Sequence, residues 1–391
     1  MTGDFEPLLS IGDKIDDKET AATSFAASFL SSFLESVEEM EKTKEFFKRL
    51  IETPSPSGYE EKIQRVVREY AADFADSITT DVHGNVVAAR NPDAPIRVMF
   101  AGHCDQIGLT VNYIDSDGFV YVLPLGGWDP QTLVGVRVTF WGRKGPVEGV
   151  IGRKAIHLLT EDERKRVPKV TDLWVDIGAK DKEEAESVLR VGDCGTIPLD
   201  CRELMNDRVA APATDDKAGV WVAMEALRRI DGSKLKVGVF AVSTVQEEVG
   251  LRGARTSAYG VDPHVGIAID VTHATDCPNV DKKICGDVKL GAGPAVGKGP
   301  NMNMRLVDAL LDVAEANEIP YQLCAENRIT GTDAAAIQVS RAGVATALIS
   351  IPNRYMHTPV EMVSWKDMNA AADLLARYCE SLDENASYIP E

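Results

Sequence analysis

The chain has 391 residues, 44% hydrophobic and 26% charged, an ordinary balance for a globular protein. That length exceeds one comfortable core and predicts two domains. A formal net charge of −19 disfavours nucleic acid, whose phosphates need a basic patch, and also disfavours anionic membrane surfaces.

Residues 1–39 are acidic and contain no arginine. Their longest apolar stretch, residues 21–37, is broken by five serines and Glu35 and is too polar to span a bilayer. Neither a secretory nor a transit signal fits. The expectation is a mobile acidic extension. Seven cysteines, an odd number with no C-x-x-C pair, fit free thiols in a reducing compartment, and so the cytoplasm.

A helix opens at Met40, with Phe46, Phe47, Leu50 and Ile51 at helical spacing, and stops at Pro54-Ser55-Pro56-Ser57-Gly58. A second helix carries Ile63, Val66, Val67, Tyr70 and Phe74 on one face. Strand signals follow at 85–89 and 96–100. From 111 to 206 the texture changes to short alternating segments at 118–125, 137–141, 149–151, 173–177 and 195–198, separated by Gly, Pro and Asp. Many short strands with turn punctuation predict a small β-barrel or sandwich, with one helix near 182–189. After Asp207 helices and strands alternate again: a helix over 217–230, strands ending near Thr244 and at Asp270, and a Gly-rich loop over 291–300. Helices over 302–317 and 333–340, a strand over 345–351 and a last helix over 366–382 complete the chain. The expected fold is a three-layer α/β/α domain with a mixed central sheet (residues 40–110 and 207–391), interrupted by an all-β barrel-like domain (111–206).

Four apolar runs each lead into a side chain able to bind a divalent metal: His103, Glu247-Glu248, Asp270 and His357. Such runs read as strands buried on both faces, and ligands of open α/β sheets bind beyond their carboxyl ends. His103 and Asp105, two residues apart, project to one face and Cys104 to the other. His103 can ligate while Asp105 holds its other ring nitrogen, or the pair is a surface histidine beside a turn aspartate. Thr214-Asp215-Asp216 opens a helix, either as caps or as metal ligands. Glu247 and Glu248 follow a buried-type strand, where two like charges are costly unless a cation offsets them. One then binds and the other stays free as base. Asp270 is a ligand or a turn residue. Of the remaining histidines, His83, His157 and His264 sit in loop-like surroundings, whereas His273 lies close to Asp270.

Together these stretches resemble the tetrahedral (TET) or glutamyl aminopeptidase family of di-metal exopeptidases. The carriers are Pro54-Ser55-Pro56-Ser57-Gly58-Tyr59-Glu60, Gly102-His103-Cys104-Asp105-Gln106-Ile107-Gly108, Asp215-Asp216-Lys217-Ala218-Gly219, Gln246-Glu247-Glu248-Val249-Gly250-Leu251-Arg252-Gly253-Ala254, Asp270-Val271-Thr272, Gly331-Thr332-Asp333-Ala334 and Arg354-Tyr355-Met356-His357-Thr358-Pro359-Val360-Glu361. The resemblance runs from Met40 to about Leu382. It implies two divalent ions per subunit, zinc or cobalt, bridged by Asp215, whose peptide bond to Asp216 is cis. His103 and Asp270 complete one ion, and Glu248 and His357 the other. Glu247 is then the general base acting on a metal-bridging water, and Asp105 the residue that orients His103. The implied substrates are small peptides trimmed at their N-termini. The β domain is the implied dimerisation domain of a dodecamer whose sites face an inner cavity. Gln106 and Lys217 depart from the family's usual Glu and Arg.

Two rivals stand beside this reading. Another di-metal hydrolase, a carboxypeptidase or N-deacylase, would carry an α+β insertion between later ligands, whereas this insertion is all-β and lies between His103 and Asp215. A non-catalytic self-assembling scaffold would not need the full ligand set. The glycines of Gly291-Ala292-Gly293 and Gly297-Lys298-Gly299 match neither nucleotide-binding pattern.

Overall fold

The computed structural model describes residues 38–390 and divides the chain into two units, 1–46 and 47–391. Of the first unit, residues 38–46 are helical, and the rest of the expected acidic extension lies outside the described residues. The second unit holds the sheets. Among the described residues no helix is long and apolar enough to cross a membrane.

Strands β1 (Ser77–Thr80), β2 (Val86–Arg90) and β3 (Arg97–His103) come first. Then follow β4 (Gly108–Ile114), β5 (Val120–Leu125), β6 (Arg137–Gly142), β7 (Gly145–Gly152), β8 (Trp174–Asp176) and β9 (Cys194–Thr196). These six close into an antiparallel barrel in the order β4-β5-β8-β7-β6-β9. Alternate side chains fill it, including Leu109, Val111, Val120, Val138, Phe140 and Val175. The expected helix near 182–189 spans Lys182–Val188.

The chain continues with β10 (Arg202–Leu204), β11 (Arg208–Ala211), β12 (Gly238–Thr244), β13 (Val265–His273), β14 (Ala295–Lys298), β15 (Gln322–Ala325), β16 (Ala345–Asn353) and β17 (Glu361–Ser364). Eight strands form a mixed sheet in the order β1-β2-β12-β3-β13-β16-β14-β15. Its four central strands, β12, β3, β13 and β16, are mutually parallel. Their carboxyl ends therefore share one edge, with His103 in register with Thr244 and Asp270 in register with Ser350. The apolar runs of β3 and β13 are buried on both faces, as parallel strands require.

Helices cover both faces. A Cβ added to Gly102 would lie 2.4 Å from the Gly219 carbonyl carbon, so helix Thr214–Arg229 rests on β3 backbone to backbone. On the opposite face a Cβ on Gly266 would strike Ile337, in helix Asp333–Ile337, at 2.4 Å. Helix Thr214–Arg229 is apolar almost all round because helix Trp365–Ser381 covers its outer side. There the Trp221 and Trp365 rings meet edge to face at 5.6 Å. The result is the expected three-layer α/β/α fold with a mixed sheet and a barrel. A smaller antiparallel sheet, β10-β11-β17, brings Glu361 to the same end of the molecule as Asp215.

Candidate metal centre

The strand ends gather the side chains singled out above. His103 Nε2 lies 3.1 Å from Asp215 Oδ1, and His357 Nε2 lies 3.2 Å from Asp215 Oδ2. One carboxylate thus faces two imidazoles, one on each oxygen. Glu247 Oε2 is 3.8 Å from His103 Nε2, and Glu248 Oε1 is 3.7 Å from His357 Nε2. Asp270 joins His103 and Asp216 in a group whose donor atoms all lie within 4.8 Å of one another. His103, Asp215 and Glu248 form a second such group. His273 is exposed at the end of β13 and belongs to neither.

Asp215 stands at the start of helix Thr214–Arg229. Its peptide bond to Asp216 is cis, and both residues have non-helical φ and ψ although they open the helix. Asp216 takes over the capping work: its Oδ1 accepts the Gly219 N–H at 3.0 Å and its Oδ2 the His103 N–H at 3.1 Å. Asp215 is left to the two histidines.

Each imidazole is held by an atom that can only accept. His103 Nδ1–H donates to the Asp105 carbonyl at 3.1 Å, closer than the Asp105 carboxylate at 3.5 Å. His357 Nδ1–H donates to the Gly127 carbonyl at 2.7 Å. Both rings therefore present Nε2 to the cleft. The Asp105 carboxylate is occupied elsewhere, accepting the N–H groups of Glu247 (2.9 Å) and Glu248 (3.2 Å) and the Ser57 hydroxyl (2.7 Å).

The electrostatics ask for positive charge. Burial, with Asp270, Asp333 and Glu248 nearby, pushes Glu247 up to about 10 against the pull of His103. Burial and Asp215 push Asp270 up to about 8. Burial and Asp215 also raise Glu248 well above the ordinary range. Burial opposes ionisation of Asp215 too, yet hydrogen bonds with His103 and His357 hold it below the usual carboxylate range. So many acids in one dry cleft are tolerable only with protons or cations between them.

The donor set fits a divalent cation. Imidazole nitrogens and carboxylate oxygens suit borderline metals such as zinc. Glu248 Oε1 is buried without a hydrogen-bond partner, and a native fold rarely strands such an atom.

Three carboxylates beyond the expected set support the site. Glu361 Oε2 accepts the Asp215 N–H at 2.9 Å and the Thr214 hydroxyl at 3.0 Å, while its Oε1 accepts the His357 N–H at 2.8 Å. Asp333, inside a motif quoted above without a role, accepts the Thr244 hydroxyl at 2.6 Å. Asp216 acts as described. Thr214 and Asp215 lie far from Glu361 along the chain, Thr244 from Asp333 and His103 from Asp216, so spacing alone does not expose these contacts. The two departures from the family pattern touch each other: Lys217 Nζ donates to Gln106 Oε1 at 2.8 Å and to the Thr53 carbonyl at 2.9 Å. Burial drives this lysine down to about 7.

Comparison with known proteins gives these features a context. The profile of the M42 glutamyl aminopeptidase family matches residues 84–374. The chain is 40% identical over 342 residues to a lysyl aminopeptidase of Pyrococcus furiosus, covering 86% of this chain and 97% of that one. A TET aminopeptidase from a marine sediment Thaumarchaeota archaeon has a TM-score of 0.84 at 36% identity, covering 88% of this chain and 98% of that one. The TET1 peptidase of Pyrococcus horikoshii, which can assemble into a tetrahedron or a large octahedral shell, has a TM-score of 0.77 at 32% identity, covering 87% and 100%. A mixed sheet with an inserted barrel and a His–carboxylate cleft at its strand ends thus has the architecture of an α/β aminopeptidase. The chain belongs to the M42 glutamyl aminopeptidase family, and its activity is that of a peptide hydrolase acting at N-termini.

Proposed function

We propose that this aminopeptidase is metal-dependent, and that His103, Asp215, Glu248, Asp270 and His357 hold two divalent ions, zinc or cobalt. The observation that carries the reading is the placement of Asp215, with one oxygen toward each imidazole. The unpartnered Glu248 oxygen supports it. Bound there, such ions polarise a peptide carbonyl and acidify water.

Glu247 is the proton carrier. It sits beside the ligand cluster with its carboxylate 3.8 Å from His103 Nε2, and its backbone is pinned by Asp105. It takes the proton of the attacking water and delivers it to the leaving amine, so that the peptide C–N bond breaks with no net proton change. Asp105 and Gly127 fix the two imidazoles, and Glu361 fixes the backbone beneath Asp215 and His357.

The substrates are small peptides with a free N-terminus. The barrel is a dimerisation domain, and dimers assemble toward a dodecamer. That the similar peptidase of Pyrococcus horikoshii can assemble into a tetrahedron or a large octahedral shell supports self-assembly. Seven unbridged cysteines support a reducing, cytoplasmic setting. The test compares free-amine and N-blocked peptides on zinc- or cobalt-loaded enzyme. Cleavage restricted to free-amine peptides and abolished by chelation is expected; equal cleavage of blocked peptides contradicts the reading.

A further inference from the structure

The barrel reaches into the candidate metal centre through one turn. Gly126-Gly127-Trp128 follows β5 directly and lies against Glu248 and His357. The Gly127 carbonyl takes the His357 Nδ1 proton at 2.7 Å. A Cβ on Gly127 would lie 3.1 Å from that same Nδ1, and one on Gly126 would lie 3.0 Å from Glu248 Oε2. The turn is tied down where the barrel begins, because Trp128 Nε1–H donates to the Gly108 carbonyl at 2.9 Å. The other histidine is independent of the barrel: the Asp105 carbonyl holds His103.

We infer that the turn Gly126-Gly127-Trp128 is a positioning element for His357 and Glu248, so that the inserted barrel completes one of the two ion positions and not the other. This rests on the metal reading proposed above. A carbonyl on Nδ1 fixes both ring orientation and tautomer, leaving the Nε2 lone pair aimed at the cleft. His357 needs that support, because its side chain is 33% exposed whereas that of His103 is 2% exposed. Glycine at 127 lets the carbonyl come within bonding distance without the adjacent Cβ displacing the ring.

Zinc titration of the metal-free protein against a chromophoric chelator tests the inference on the parent, Gly127→Ala and Trp128→Phe. The parent is expected to bind two equivalents; a parent that binds none contradicts the metal reading itself. Gly127→Ala should keep one equivalent at parental affinity and weaken the other about 10- to 100-fold, the usual cost of disturbing a ligand's outer partner. Trp128→Phe should weaken the same equivalent less, and it decides the matter if the alanine variant does not fold. Leu123→Ala, an exposed barrel position, should keep both equivalents. Parental affinity for both equivalents in the two turn variants, or equal weakening of both, overturns the inference and leaves the metal reading intact.

Discussion

Asp105 Oδ1 accepts the backbone N–H of Glu247 at 2.9 Å, so the residue behind His103 also sets the height of the proposed proton carrier. Its second oxygen does the same for Glu248. Asp105→Asn keeps one acceptor and turns the other into a donor that faces an N–H or a hydroxyl. The expected outcome is a fall in kcat of about 10- to 100-fold with KM little changed. Steady-state kinetics on an aminoacyl substrate check it; a change confined to KM would contradict it.

Glu361 joins two proposed ligands through their backbones. Glu361→Ala would strand the Asp215 and His357 N–H groups and the Thr214 hydroxyl, each at a cost of about 1–3 kcal/mol where burial keeps water out. Glu361→Gln retains one acceptor and should recover part of the loss. Thermal melts should rank parent above glutamine above alanine. Equal melting of all three would remove the brace from the account.

The pH dependence of the metal-free protein follows from the raised carboxyls. Burial comes first among the causes for Glu247 (to about 10), Asp270 (to about 8) and Glu361 (to about 7). An acid whose folded value exceeds its unfolded one gives stability that is complete below the unfolded value and is lost as pH rises through the folded one. His103 works in the same direction: burial opposes its protonation, but Glu247, Asp105 and Asp215 raise it well above its ordinary value. Asp215, held low, loses its contribution only in strong acid. Metal-free protein should therefore melt higher at pH 5 than at pH 8. Added zinc should narrow the gap, since its ligands bind deprotonated. Calorimetry showing a higher midpoint at pH 8 without metal would contradict this.

The Lys217–Gln106 contact predicts coupling. Lys217→Met strands the Thr53 carbonyl and leaves Gln106 Oε1 only its long bonds from the Ser55 N–H (3.3 Å) and hydroxyl (3.4 Å), whereas the double variant with Gln106→Leu removes both side-chain partners. A denaturation cycle should return an interaction of about 0.5–3 kcal/mol. Additive effects would mean that the two departures are independent.

Much of this fold was legible because long apolar runs have few alternatives. β3, β12, β13 and β16 are such runs, and their parallel order alone brings His103, Glu247, Asp270 and His357 to one edge. The barrel showed itself through turn punctuation. Four short strands outside the barrel did not: β14 lies inside the Gly-rich stretch read as a loop, and β1, β15 and β17 are each four residues long. They exist because neighbouring strands offer hydrogen bonds, and a local pattern does not record that. The same limit left Glu361 without a role, since it braces the backbone N–H groups of Asp215 and His357 and the Thr214 hydroxyl. Of the two readings of Thr214-Asp215-Asp216, capping describes Asp216, which takes a helix N–H, whereas Asp215 turns to the histidines.

The central claim is that five side chains hold two cations while Glu247 stays free to move a proton. Its most direct test is the zinc content of Glu247→Gln measured alongside its turnover of a free-amine peptide. The account predicts two equivalents retained with turnover reduced at least about 100-fold. Two equivalents with undiminished turnover would contradict it.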